Sequence, residues 1–144
     1  MFKIADHVAL SVKDMEKVIA FYRDVIGMEK VFDREFDESM AKLIGTEGVQ
    51  VRIVHMKLSD SVVELFDYKY PKGRDPRPNP QQSDYGLIHI GFMVEDFWGT
   101  YKHLLAHGVK FLGEPAEIRP GVFVGYFHGA EYEVCEIREI VQKD

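Results

Sequence analysis

The sequence predicts an α+β fold made of two βαβββ modules. The first indication is an internal repeat, because residues 6–14 (DHVALSVKD) return as residues 88–96 (IHIGFMVED). The histidines of the two copies stand at positions 7 and 89, so the repeat distance is 82 positions in a chain of 144 residues. This period is longer than the units of most stacked repeat proteins, and it indicates two fused modules.

The second indication is an amphipathic helix after each copy. Asp14 and Asp96 stand at the N-cap positions of these helices, and Gly27 and Gly108 close them. Each predicted helix has one apolar face. These faces comprise Val18, Phe21, Tyr22 and Val25 in the first module, and Phe97, Tyr101, Leu104 and Leu105 in the second.

The third indication is a series of strand patterns after each helix. In the first module we predict strands over 28–36, 49–55 and 62–66, with a short helix near Met40, Leu43 and Ile44 and a turn at 57–60. In the second we predict strands near 110–112, over 122–128 and over 134–138, with a turn at 119–121. A single βαβββ module has too small a core to be stable alone, so we expect the two to pair.

The first strand of each module has one bulky face and one small face. In the segment 4–12, the bulky residues Ile4, Val8, Leu10 and Val12 are expected to pack under the helix. The opposite face carries His7, Ala9 and Ser11, and in the second copy His89, Gly91 and Met93. A histidine among small neighbours is typical of a residue that lines a concave surface.

We expect one domain over residues 1–144, with module one at 1–67, a linker at 68–86 and module two at 87–144. The linker contains Pro71, Pro76, Pro78 and Pro80, four of the six prolines in the chain. Because proline removes backbone donors and stiffens the chain, this segment is expected to lie across the surface. The last three residues, 142–144, are expected to fray.

Composition excludes several classes of function. With 46% hydrophobic and 29% charged residues, the chain is typical of soluble globular proteins. It has no apolar run of the roughly 18 residues that span a membrane and no signal peptide, so we expect a cytoplasmic protein without a membrane partner. A net charge of −6 with no basic block argues against nucleic acid. Cys135 is the single cysteine, which excludes an internal disulfide and a thiolate metal cluster.

Four residues stand at equivalent places in the two copies: His7 and Glu64 in the first module, His89 and Glu136 in the second. Each pair joins the first strand of its module to the last. If those strands are neighbours, each pair meets on one face, and pairing of the modules brings all four residues together. Two imidazoles and two carboxylates suit a divalent metal ion such as Ni²⁺, Co²⁺, Zn²⁺, Mn²⁺ or Fe²⁺.

Simpler interpretations compete with the metal site. A single histidine in a strand is usually a hydrogen-bonded structural residue, and an ion pair with Arg52 would account for a carboxylate at Glu64. The other titratable candidates are expected to be structural or exposed. These are His55, His103, His107 and His128, with Cys135 as a core residue and Glu47 as a turn carboxylate.

The whole chain resembles the vicinal oxygen chelate superfamily, which includes glyoxalase I, methylmalonyl-CoA epimerase, extradiol dioxygenases and the fosfomycin- and bleomycin-resistance proteins. The resemblance lies in residues 6–14, 21–22, 27–28, 63–65, 89–92 and 129–137. It implies a cup-shaped mixed sheet formed by the paired modules, with the helices on its outer face. It also implies that His7, Glu64, His89 and Glu136 are metal ligands, with Glu136 as the base and Glu64 as a ligand or second base.

The resemblance further implies a function. It predicts a metal-dependent lyase or isomerase of the glyoxalase I type, which acts on a small carbonyl compound by proton transfer through a metal-bound enediolate. Three alternatives stay open: a racemase like methylmalonyl-CoA epimerase, an extradiol dioxygenase, and a non-catalytic binding protein like those of bleomycin resistance. The expected partners are a small-molecule substrate and a second copy of the chain in a homodimer.

Overall fold

The computed structural model describes residues 1–141 of the protein. The predicted fraying of residues 142–144 therefore lies outside the described part. The chain forms two compact units, Met1–Asp75 and Pro76–Asp144. Each unit contains a four-stranded mixed sheet, which confirms the predicted α+β class and the predicted repeat of a βαβββ module.

The first unit follows the predicted order of elements. They are β1 (His7–Ser11), α1 (Met15–Ala20), a π-helical segment (Phe21–Ile26), β2 (Glu29–Phe36), α2 (Glu38–Ile44), β3 (Gln50–Leu58) and β4 (Ser61–Tyr70). The strand order is β1-β4-β3-β2, with β1 parallel to β4 and the other neighbours antiparallel. Two boundaries differ from the prediction: β1 leaves out Ile4, which is 79% exposed, and β4 continues to Tyr70, into the segment assigned to the linker.

The first helix begins and ends where the sequence predicted. The side chain of Asp14 accepts a hydrogen bond from the backbone N–H of Lys17, and Gly27 ends the helical segment in the left-handed conformation (φ 92°). The helix packs on the face of the sheet that carries Val54 and Leu65. A hydrogen bond shows this placement, since Arg52 lies on the same face and donates to Glu16 of α1. The opposite face carries Glu64.

The second helix differs from the first in its position. Met40 and Ala41 of α2 pack against the apolar cluster Val49, Val51 and Ile53. Because strand residues alternate between faces, Val51 and Ile53 share the face of the sheet that carries Glu64. One helix of this unit therefore lies on the face opposite Glu64, and the other covers one end of the Glu64 face.

The second unit repeats the arrangement with one helix. It contains β5 (Ile90–Met93), α3 (Phe97–Ala106), β6 (Ala116–Arg119), β7 (Val122–His128) and β8 (Val134–Ile140), in the strand order β5-β8-β7-β6. The side chain of Asp96 caps α3 as predicted, by accepting from the N–H of Gly99. The N–H of Phe97 donates to Glu139, so α3 packs on the face of β8 opposite Glu136.

Two predictions for this unit are wrong. The strand expected near 110–112 is absent, because Phe111 makes only an isolated bridge to Phe127 and the strand forms at Ala116–Arg119 instead. Gly113 and Pro115 separate the two stretches and favour a bend there. Leu105 was predicted on the buried face of α3 but is 47% exposed.

Within residues 1–141, every helix is too short or too polar to cross a membrane.

Candidate metal centre

The same cross-strand register positions the predicted ligands in both units. In the parallel pair β1 and β4, Ala9 lies opposite Glu64, and in the pair β5 and β8, Gly91 lies opposite Glu136. The predicted histidine precedes the small residue by two positions in each case. Since residues two apart share one face of a strand, the histidine and the carboxylate stand diagonally on the same face.

Each unit brings its histidine and its glutamate together. His7 Nε2 lies 3.4 Å from Glu64 Oε2, and His89 Nε2 lies 3.4 Å from Glu136 Oε2. Both carboxylates are largely buried, with side chains 17% and 13% exposed. The structure thus forms both halves of the predicted ligand set, while the role of all four residues as ligands of one ion stays a prediction.

The donor set fits a divalent ion. A distance of 3.4 Å exceeds that of a normal N–H···O hydrogen bond, which is about 2.7–3.2 Å. Two ligands bonded to one ion at about 2.0–2.2 Å stand roughly 3.0–3.4 Å apart at octahedral to tetrahedral angles. Within residues 1–141 no three histidine, cysteine or carboxylate side chains form a ready metal cluster. Each unit by itself supplies two of the four predicted ligands.

The two histidines differ in the hydrogen bonding of the second ring nitrogen, Nδ1. His7 Nδ1 donates to Asp6 Oδ2 at 2.9 Å, which directs Nε2 toward Glu64. This hydrogen bond to Asp6, together with the charge of Glu64, raises the pKa of His7 above its usual value. In contrast, His89 Nδ1 is buried and has no hydrogen-bond partner among residues 1–141. A metal-ligating histidine usually donates its second N–H, so only His7 shows that arrangement within the described chain.

The small residues beside the carboxylates leave room for them. A Cβ placed on Gly91 would lie 3.5 Å from Glu136 Oε1, which is an ordinary van der Waals contact. Longer side chains at this position would extend into the space next to the carboxylate. The residue opposite each carboxylate is thus small, Ala9 beside Glu64 and Gly91 beside Glu136.

Sequence reasoning missed two residues of this site, His55 and Tyr126. His55 lies opposite Glu64 across β3 and β4, with Nε2 3.1 Å from Oε1. Tyr126 lies opposite Glu136 across β7 and β8 and hydrogen-bonds to it. The predicted turn at 57–60 contained a signal for the first, because folding β3 back on β4 about residues 59–60 pairs position 55 with position 64.

The phenol of Tyr126 is suited to donate a hydrogen bond to Glu136. Tyr126 is 40% exposed, and the partial burial of its phenol raises its pKa above the usual value, as do the charge of Glu136 and the hydrogen bond to it. The phenol therefore keeps its proton at neutral pH and donates it toward the carboxylate. The ring centroid of Tyr126 also lies 5.1 Å from that of His89, so one side chain contacts both members of the pair.

The sequence also suggested an ion pair between Glu64 and Arg52, and this interpretation is wrong. Arg52 lies on the opposite face of the sheet and donates to Asp33 at 2.8 and 2.9 Å and to Glu16 at 2.6 Å. Hydrogen bonds from Arg52, and then from Lys30, hold the pKa of Asp33 well below its usual range. Arg52 is thus occupied elsewhere, and the charge of Glu64 faces two imidazoles instead.

The remaining candidates lie away from these pairs. Cys135 is fully buried, on the face of β8 opposite Glu136, as predicted for a core residue. Glu47 is exposed in a turn, also as predicted. His103 and His107 are exposed on one side of α3 and its C-cap, with ring centroids 4.3 Å apart, and His128 is exposed at the end of β7.

These features define an α+β protein of two βαβββ units, each with an imidazole and a carboxylate on one face of its sheet. Residues 4–128 match the family model described as the Glyoxalase/Bleomycin resistance protein/Dioxygenase superfamily. The chain belongs to this superfamily, also called the vicinal oxygen chelate superfamily, which confirms the resemblance read from the sequence.

One similar protein is a 2-epi-5-epi-valiolone epimerase from Actinomyces sp.. It is 33% identical over 125 residues, which cover 83% of this chain and 67% of the relative.

Solved structures share the fold. A glyoxalase family protein from Bacillus cereus has a TM-score of 0.86 at 21% identity, covering 98% of this chain and 97% of that one. The fosfomycin resistance protein FosX from Listeria monocytogenes, in complex with Mn(II) and sulfate, has a TM-score of 0.64 at 15% identity, covering 98% and 95%. At these identities the likeness concerns the fold alone.

Proposed function

We propose that the protein is a metal-dependent isomerase that moves a proton on a carbon next to a carbonyl group. In this proposal His7, Glu64, His89 and Glu136 hold one divalent ion. The observation that carries the proposal is the repeated His–Glu pair, with the same 3.4 Å separation in both units. Both distances suit two ligands of one ion better than a hydrogen bond.

The proposed chemistry assigns each group a task. A bound divalent ion supplies Lewis acidity that lowers the free energy of negative charge developing on a substrate oxygen. Glu136 accepts the proton from the carbon. For an isomerisation Glu136 returns this proton to the neighbouring carbon, whereas for an epimerisation a second acid, for which Glu64 is the candidate, delivers a proton to the opposite face of the same carbon. Tyr126 supports this role by donating a hydrogen bond to the same carboxylate. Glu64 serves as a ligand or as a second base.

Epimerisation is the form of this chemistry that we favour. Support comes from the 33% identical relative, which carries the name of an epimerase. Lyase chemistry of the glyoxalase I type needs the same proton transfer from the same groups, so it belongs in the test. The proposed partner is a small molecule, and the homodimer expected from the resemblance stays a prediction that light scattering can check.

The test begins with protein purified without added ions. Metal content per chain is measured for the wild type, for Glu136→Gln, and for Glu47→Gln as a control at an exposed turn carboxylate. The wild type and Glu47→Gln are expected to contain one ion per chain, and Glu136→Gln less. Activity is then assayed with 2-epi-5-epi-valiolone, the hemithioacetal of methylglyoxal, a 2-methyl-branched acyl-CoA and a catechol.

Turnover of one of the first three substrates by the wild type, with at least a 100-fold loss in Glu136→Gln, supports the proposal. Oxygen-dependent cleavage of the catechol would assign a dioxygenase instead. A protein without stoichiometric metal, whose ligand affinity is the same in Glu136→Gln, would be a binding module, and the proposal would be wrong.

A further inference from the structure

His55 contacts the oxygen of Glu64 that His7 does not. Its Nε2 lies 3.1 Å from Oε1, whereas His7 Nε2 lies 3.4 Å from Oε2. Both are N···O contacts of ion-pair length, and the one made by His55 is the shorter. The two imidazoles therefore contact different oxygens of the same carboxylate, and His55 is the nearer one.

Packing holds the His55 ring in this orientation. The ring stacks on Phe32, its cross-strand neighbour on β2, with centroids 4.5 Å apart and an interplanar angle of 25°. Phe32 in turn stacks on Phe36, and both pack against the cluster Val49, Val51 and Ile53. A ring fixed by its neighbours can orient a hydrogen-bonded partner at little cost in side-chain entropy.

The second unit has a donor at the equivalent position. Tyr126 lies opposite Glu136 as His55 lies opposite Glu64, and its hydroxyl hydrogen-bonds to the carboxylate. Both side chains are aromatic rings that carry a hydrogen-bond donor, an imidazole in the first unit and a phenol in the second. The shared feature indicates that the position serves to hold the carboxylate.

We propose that His55 is a positioning residue that fixes Glu64 for metal binding, with Oε1 engaged by His55 and Oε2 left facing His7. This inference rests on the proposed function, because it treats Glu64 as a ligand. Without the imidazole, the carboxylate can rotate and must be ordered when an ion binds. Loss of such a supporting contact typically weakens metal binding by roughly 10- to 100-fold.

The test is a calorimetric titration of the full-length protein with Mn²⁺ after removal of metal by chelation. His55→Phe keeps the stacking on Phe32 but removes the donor, and His55→Gln restores a donor at about the same reach. His55→Leu provides a second donor-free variant should the phenylalanine disturb folding. His103→Gln, on the exposed side of α3, controls for the loss of an imidazole elsewhere. Thermal unfolding verifies that each variant is folded.

We expect His55→Phe and His55→Leu to bind one Mn²⁺ per chain roughly 10- to 100-fold more weakly than the wild type. His55→Gln should stay within about threefold of the wild type, a rescue that a purely packing role would not give. Unchanged affinity in the donor-free variants would overturn the inference, and so would complete loss of stoichiometric binding, which would make His55 a ligand. A wild type that binds no Mn²⁺ overturns the proposed function as well, so the two failures are distinguishable.

Discussion

Gly91 faces Glu136 across the parallel strands β5 and β8, so closely that a Cβ on Gly91 would touch the carboxylate at 3.5 Å. Ala9 faces Glu64 in the same register across β1 and β4. In each unit the histidine two positions before this small residue contacts the carboxylate. Each His–Glu pair therefore forms beside a residue with little or no side chain.

This steric relationship predicts a graded effect at position 91. Gly91→Ala adds only a Cβ in ordinary contact, so Mn²⁺ affinity should stay within about threefold of the wild type. Gly91→Val adds a Cβ and two methyl groups next to the carboxylate and should weaken binding by roughly tenfold or more, as expected when the geometry of a ligand is disturbed. Calorimetric titration measures both. Equal affinities in the two variants would mean that the space beside Glu136 is not limiting.

Tyr126→Phe should lower activity while leaving the fold intact. The substitution keeps the ring that lies beside His89 and removes only the hydroxyl that donates to Glu136. A hydrogen bond to a charged group contributes about 1.5–3 kcal/mol, so we expect a roughly tenfold to 100-fold lower kcat/KM on whichever substrate is turned over. Tyr132→Phe, on the exposed loop before β8, is the control. A kcat/KM equal to that of the wild type would remove Tyr126 from the site.

The ion pair of Asp33 and Arg52 predicts a pH-dependent stability without an effect on metal binding. Because the pKa of Asp33 is depressed in the folded protein, its stabilisation is present above the unfolded pKa of about 3.9 and is lost as the pH falls below it. Asp33→Asn should lower the free energy of unfolding by about 1 kcal/mol at pH 7, with a smaller difference at pH 3.

Urea denaturation at the two pH values measures this effect, with Asp60→Asn in the exposed turn as the control. Arg52 lies on the face opposite Glu64, so Mn²⁺ affinity at pH 7 should not change in Asp33→Asn. A stability difference that grows toward pH 3 would contradict the assigned role of Asp33.

The two helix caps should contribute similar amounts to stability. Asp14 accepts a hydrogen bond from the N–H of Lys17, and Asp96 accepts one from the N–H of Gly99. Replacing either by alanine leaves an unsatisfied donor in the first turn and should cost about 1 kcal/mol. Urea denaturation of Asp14→Ala and Asp96→Ala tests this, and Asp14→Asn and Asp96→Asn should restore most of the loss. Alanine variants as stable as the wild type would show that the caps are dispensable.

The sequence predicted most of the fold because the repeat and the caps are local signals. The caps at Asp14 and Asp96 lie where the pattern indicated, and the strand over 122–128 has the predicted bounds. The strand near 110–112 was misplaced, since a short apolar stretch does not reveal whether it pairs over one residue or several.

The sequence pointed to the repeated residues of the candidate site and passed over the unrepeated ones. His7 and Glu64 were identified because His89 and Glu136 occupy the equivalent positions of the second copy. In each unit the histidine and the glutamate contact each other. His55 and Tyr126 occupy equivalent positions with different side chains, so no repeat marks them. Their contacts depend on antiparallel register, which periodicity alone does not determine.

The stoichiometry of Mn²⁺ binding in histidine variants tests the shared metal site most directly. Calorimetric titration is performed on the wild type, His7→Ala, His89→Ala and the control His128→Ala, the last replacing an exposed histidine at the end of β7. If one ion is bound by ligands from both units, the wild type and the control bind one Mn²⁺ per chain, and either of the other variants loses most of the affinity. Two ions in the wild type, with one remaining in each of those variants, would show that the units bind metal separately and would contradict a shared centre.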